Sequence, residues 1–112
     1  MRTNDIKFNF ENKIAVVVGG SKGIGLEVVQ QFISAGATTF CVSRTNPNIK
    51  GCYFIKCDIS DENSINESFN SLKDIDFLIN VAGTNLCRPI EDINSAEWDR
   101  VFNTNLKSFY LI

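Results

Sequence analysis

Histidine is absent from this 112-residue chain. Any mechanism in which the chain itself supplies an imidazole base is thereby excluded. A zinc site is disfavoured too, because Cys41, Cys52, Cys57 and Cys87 nowhere form Cys-x-x-Cys. Three of these four lie in or beside apolar runs and read as small buried thiols. No apolar run approaches the roughly 20 residues of a membrane span. The start, Met1-Arg2-Thr3-Asn4-Asp5, lacks the apolar core of a secretory signal, so the chain is expected to be cytoplasmic. Net charge is only −2, which gives no reason to expect nucleic acid or a membrane surface as partner. Internal repeats, low-complexity segments and domain linkers are missing as well.

Apolar side chains are not missing. At 44% of residues, with Phe, Ile, Leu and Val plentiful, they argue against disorder and for one globular domain or part of a larger one. Their spacing alternates along the chain. Lys13 to Gly19 reads as a strand buried on both faces. Gly23 to about Ala35 has helical spacing, with Ile24, Val28, Phe32 and Ile33 in a stripe widened by Leu26 and Val29. Gly36 supplies its stop. Thr38 to Ser43 and Cys52 to Cys57 read as strands, joined by a crossover loop too short for a full helix.

Ser60 is the expected N-cap of a helix over Asp61 to Lys73, with Ile65, Phe69 and Leu72 on one face. Ile75 to Val81 is a fourth strand, followed by a loop from Thr84 to Asp92. Asn94-x-x-Glu97 has the form of a capping box, and the helix it opens carries Val101, Phe102, Leu106 and Phe109. Strands that are continuously apolar and alternate with helices predict an α/β fold, a parallel sheet covered on both faces.

The chemistry concentrates between the first strand and the first helix, in Val18-Gly19-Gly20-Ser21-Lys22-Gly23-Ile24-Gly25. A glycine turn lets backbone approach a pyrophosphate. The helix behind it offers unpaired N–H groups and a partial positive charge. The spacing Gly19-x-x-x-Gly23-x-Gly25 has a longer first gap than the common Gly-x-Gly-x-x-Gly fingerprint.

Charge then speaks to cofactor type. NAD sites usually place an acid at the end of the second strand. Here that region reads Cys41-Val42-Ser43-Arg44. Arg44 could pair with a 2′-phosphate, Ser43 could add a hydrogen bond, and Lys22 could approach the same group. Two charge-assisted bonds of about 1.5–3 kcal/mol each would favour NADP over NAD by roughly a hundredfold or more. The alternative is that both cations are merely solvated.

These motifs together resemble the short-chain dehydrogenase/reductase family over about Phe10 to Ile112. Gly19 to Gly25 resembles its Thr-Gly-x-x-x-Gly-x-Gly. Cys57-Asp58-Ile59-Ser60 resembles the segment whose Asp contacts adenine. Asn80-Val81-Ala82-Gly83 resembles Asn-Asn-Ala-Gly, and Trp98 to Leu106 resembles the helix bearing the catalytic Asn. Val18 stands where the family has Thr, and Val81 where it has a second Asn; these departures imply a slightly different or looser turn.

The resemblance implies a Rossmann-like sheet with strands in the order 3-2-1-4, and residues 1–112 as the N-terminal part of one dinucleotide-binding domain. It implies a cofactor site at Gly19, Ser21, Lys22, Gly23, Ile24, Gly25, Ser43, Arg44, Asp58, Ile59, Asn80, Ala82 and Gly83, and Asn105 as the residue that holds a water in a proton relay. It also implies hydride transfer between NADP and a carbonyl or alcohol substrate, in the manner of β-ketoacyl carrier-protein reductases, and a homo-oligomer. The family's catalytic serine and Tyr-x-x-x-Lys do not occur within these 112 residues. Cofactor binding is therefore the expected limit of this chain alone, and its last strand an exposed apolar edge. Two alternatives stay open: a non-catalytic NAD(P)-binding module, and an α/β protein for S-adenosylmethionine or another nucleotide.

Overall fold

The computed structural model describes residues 6–112. Four runs of apolar and β-branched residues become parallel strands: β1 (Ile14–Val18), β2 (Thr38–Ser43), β3 (Cys52–Lys56) and β4 (Phe77–Asn80). They lie in the order β3-β2-β1-β4. β1 is central, with Val16 opposite Phe40 on one side and Leu78 on the other. Ala15, Val16, Val17 and Val18 are completely buried, as a strand covered on both faces requires.

One face is covered by α1 (Gly23–Ser34), whose Val29 packs on Val17 and Cys41 with Phe32 and Ile33 beside it. The other is covered by α2 (Glu62–Phe69) and α4 (Ser108–Leu111). There Ile65 meets Val16, Val18, Val42 and Cys57, and Leu111 and Ile112 close over them. α3 (Ser95–Phe102) leads into α4 through a π-turn, Asn103–Lys107. The segment before β1 is held by an aromatic cluster: Phe10 lies 5.6 Å from Phe32 and 4.9 Å from Phe77. The β2–β3 crossover, residues 44–51, contains no helix.

Several expected details differ. Ile24 leaves the apolar stripe of α1: it is 79% exposed, at the mouth of the glycine turn. Asp61, not Ser60, caps α2 and accepts the Asn63 N–H at 3.0 Å, because the Ser60 hydroxyl is spent on Asp58. α2 stops at Phe69 rather than Lys73. Leu72 reaches the core through a turn, its N–H bonded to the Phe69 carbonyl. β4 is shorter than expected, although the N–H groups of Asp76 and Val81 continue its pairing with β1.

Only half of the capping box forms. Asn94 accepts the Glu97 N–H at 2.9 Å, while the Glu97 carboxylate pairs with Arg88. The stripe Phe102, Leu106 and Phe109 faces outward, because the π-turn shifts the helix so that Ser108, Leu111 and Ile112 face the sheet. β4 forms one edge of the sheet, with Leu78 46% exposed.

Ile65 is the single α2 side chain that is fully apolar and 1% exposed. Ile65→Ala is expected to destabilise the chain by about 2–5 kcal/mol through the cavity it leaves. A denaturant titration checks this; a midpoint that does not move would mean that α2 does not contribute to the core.

Candidate functional site

Every strand of the sheet ends at the same side, and the helices that follow β1 and β4 cover opposite faces of it. A cleft of about 670 Å³ opens at this switch point. Its floor is the glycine turn. Gly19 has φ +86°, and a Cβ on it would stand 2.7 Å from the backbone of Ala82. A Cβ on Gly25 would stand 2.0 Å from the Gly19 carbonyl oxygen. No other residue lets α1 start so close to the ends of β1 and β4.

The threonine and asparagine that Val18 and Val81 replace leave no gap in backbone pairing. The Gly19 N–H bonds to Val42 at 2.8 Å, and the Val81 N–H to Val18 at 3.0 Å. The first turn of α1 lines the cleft and carries no acidic residue and no side-chain cap, which leaves its leading N–H groups without a side-chain partner among the described residues. Ser21, Lys22 and Ile24 rim the turn, and Gly23 has open space above it.

The ends of β2 and β3 form the next wall. Arg44 is exposed and lines the cleft. Ser43 lines it too, but its hydroxyl donates to the Thr45 carbonyl at 2.6 Å and the residue is buried. It does not offer the free donor to a 2′-phosphate that its position suggested. Asp58 accepts from the Ser60 hydroxyl at 2.6 Å and the Ser60 N–H at 3.0 Å. Those two bonds hold its carboxyl below the ordinary 3.8, against a small opposing effect of burial, and the Arg44 charge adds to them. Ile59 is buried behind Asp58 and reaches both the cleft and the core.

The third wall follows β4. Ala82 and Gly83 line the cleft, whereas Asn80 and Asn105 stand behind it. The Asn80 Oδ1 accepts the Ala82 N–H at 3.2 Å, and its buried Nδ2 has no partner among the described residues. Asn105 sits in the π-turn and grips one residue twice. Its Oδ1 accepts the Thr84 N–H, and its Nδ2 donates to the Thr84 carbonyl, each at 2.7 Å. One Asn105 amide N–H is left over.

Of the cleft residues outside the expected site, five carry a hydroxyl or a charge: Thr45, Ser60, Thr84, Arg100 and Thr104. The first three directly adjoin or closely follow motif residues. Arg100 and Thr104 share one helical face, four residues apart, just before Asn105, and that spacing was the available signal.

These residues fit a dinucleotide. The cradle that a Cβ at Gly19 or Gly25 would fill, and the uncapped start of α1, suit a pyrophosphate. Gly25→Ala is expected to force α1 off β1, lower stability by about 1–3 kcal/mol and abolish dinucleotide binding. Calorimetry on the variant checks both; unchanged binding would show that the close approach is dispensable. Ser60→Ala should return Asp58 towards its ordinary carboxyl range. Asp58 stabilises the fold above pH about 4 and loses that contribution as pH falls through its lowered value, so the variant has less of it to lose. A carbon-detected NMR titration of Asp58 that is identical in both proteins would exclude Ser60 as the cause.

The short chain dehydrogenase family profile matches residues 13–112. Carbonyl reductase (NADPH) 2 of Sus scrofa is 29% identical over 96% of this chain and 47% of its own length. The 2-dehydro-3-deoxy-D-gluconate 5-dehydrogenase of Pseudoalteromonas atlantica is 30% identical over 95% of this chain and 48% of its own length. This chain thus spans about half the length of the curated relatives it matches. Among solved structures, a short chain dehydrogenase from Leptospira borgpetersenii with bound NAD+ superposes with a TM-score of 0.82 at 29% identity, covering 99% of this chain and 46% of that one. A family match across almost all of the described residues, with the sheet order and the glycine cleft in place, means that the chain belongs to the short-chain dehydrogenase family.

Proposed function

We propose that residues 1–112 form the N-terminal, cofactor-holding part of a single domain in an NADP-dependent oxidoreductase acting on a carbonyl or alcohol. The observation that carries this reading is the cleft itself: an uncapped helix start over a glycine cradle, with Arg44 and no acid at the end of β2. Relatives include one named for NADPH and one solved with NAD+, so local charge must make the choice.

In this reading Gly19, Ser21, Gly23, Ile24 and Gly25 receive the pyrophosphate, and Lys22 and Arg44 the 2′-phosphate. Ser43 positions the Arg44 loop through Thr45 rather than touching the ligand. Asp58, kept ionised by Ser60, accepts from an exocyclic amine, and Ile59 lies against the base. Ala82 and Gly83 border the reacting half, while Asn80 holds their backbone from behind. A bound nicotinamide supplies the site of hydride transfer. Asn105 fixes the Thr84 backbone and keeps one amide N–H for a water. The four free thiols suit a reducing, cytoplasmic setting. The outward aromatic face of Trp98, Phe102 and Phe109 suits a homo-oligomer.

Titration calorimetry with NADPH and NADH tests the cofactor assignment. The chain should bind NADPH more tightly by about tenfold or more, and Arg44→Asp should erase or reverse that ratio. A ratio that Arg44→Asp leaves unmoved removes the NADP assignment, and absence of binding by either dinucleotide removes the reading altogether.

A further inference from the structure

Gly20 is the one residue from Gly19 to Gly25 that does not line the cleft. It is buried, and its φ is not positive, so backbone conformation does not demand a glycine there. Packing does. A Cβ on Gly20 would stand 2.7 Å from Val29 Cγ2, 3.1 Å from Cys41 Sγ and 3.3 Å from Val17 Cγ1. The glycine turn therefore rests on a β2 thiol that is completely buried and has no part in the site as described so far.

Hydrogen bonding gives that thiol a direction. The Ser43 hydroxyl donates to the Thr45 carbonyl at 2.6 Å. A hydroxyl has a single proton to give. At the 3.6 Å contact between Cys41 Sγ and Ser43 Oγ, the thiol is therefore the donor. Cys52 packs beside Cys41 but donates to the Tyr53 carbonyl at 3.6 Å. The Gly20 N–H has no backbone acceptor among the described residues, and it faces Cys41 Sγ. Donation thus runs from Gly20 to Cys41, from Cys41 to Ser43, and from Ser43 to Thr45. Burial pushes the Cys41 thiol up, against smaller lowering effects of Ser43, the Gly20 N–H and Cys52. It keeps the proton that this order needs.

Both ends of the series border the cleft. Gly20 lies between Gly19 and Ser21, and Ser43 and Thr45 flank Arg44. We propose that Cys41 is a positioning residue that fixes the Arg44 loop against the glycine turn, so that the pyrophosphate and the 2′-phosphate of one dinucleotide are met at a set spacing. The proposal rests on the NADP reading above, and its test separates the two.

The quantity to measure is the ratio of NADPH to NADH affinity, by titration calorimetry. Cys41→Ala removes the link and should lower that ratio by about threefold to fivefold, the worth of one hydrogen bond. Cys41→Ser accepts and donates as the thiol does and should restore most of it. Ser43→Ala interrupts the same series and should lower the ratio as Cys41→Ala does, with no further loss when the two are combined. A packing role alone would weaken both dinucleotides together and leave the ratio unmoved. If the unaltered chain does not prefer NADPH, the NADP reading fails and the role of Cys41 fails with it. If it prefers NADPH but Cys41→Ala keeps the ratio, or Cys41→Ser loses as much as Cys41→Ala, only Cys41 is wrongly assigned. Additive losses in the double variant overturn the proposal as well. Should Cys41→Ala not fold, Cys41→Ser and Ser43→Ala decide: the first should stay near the unaltered ratio and the second fall below it, and equal ratios overturn the proposal.

Discussion

The distance between α1 and the ends of β1 and β4 governs everything else in this molecule. At Gly25 a methyl group would stand 2.0 Å from the Gly19 carbonyl oxygen, and at Gly19 one would stand 2.7 Å from Ala82. Two absent side chains therefore let a helix begin directly over the sheet. Because it begins there, its first turn lines the crevice where the strand order reverses. Val29 also falls one turn further on, where it fills the space above Val17 and Cys41. Fold and site are thus set by one close approach, and neither can be relaxed alone.

Electrostatics then divides the cleft. The floor carries no acidic side chain in the first turn of α1. The single carboxylate in the lining, Asp58, is held in a small hydrogen-bonded loop with Ser60 and is more acidic for it. The same lining holds Lys22, Arg44 and Arg100, from three different segments. An ionised acid among cations offers an acceptor to an amine and leaves a surplus of positive charge for phosphates. Both are features of an adenine nucleotide with more than one anionic group.

Much of this was legible in residue order, and the reasons differ from part to part. β1 is legible because a strand covered on both faces is apolar at every position, as Ala15 to Val18 are. The glycine turn is legible because steric exclusion leaves glycine no substitute there. The end of α2 was not legible: Leu72 continues the helical spacing, but it reaches the core after the helix has ended. Ser43 was misread for a related reason. Its place beside Arg44 is visible in sequence, but whether its hydroxyl is free depends on the fold of the Thr45 loop. Ile24 was misread as core because its spacing fits the stripe of α1, although it lies in the first turn, where the helix overhangs the cleft. Arg100 was hidden because a lone arginine on a polar helix face looks solvated until the cleft is known.

The π-turn is the clearest case of a feature that only tertiary contacts can specify. Asn103-Thr104-Asn105 is weakly helix-favouring, but nothing in Asn103–Lys107 distinguishes a π-turn from an ordinary helix. A π-turn admits one residue beyond the regular count, which rotates everything after it by about 100° relative to an unbroken α-helix. Here that rotation turns Ser108 inward, where it is fully buried and donates to the Thr104 carbonyl at 2.7 Å. It also seats Asn105 where its amide meets both backbone groups of Thr84, at 2.7 Å each. Three short hydrogen bonds offset the poorer geometry of the turn, and the two made by Asn105 depend on where β4 ends. The helix therefore does not distort first and find partners afterwards. Its irregular register is the one that lets the β4 loop, the cleft wall and the buried Ser108 be satisfied together, and the outward turn of Phe102, Leu106 and Phe109 is the consequence.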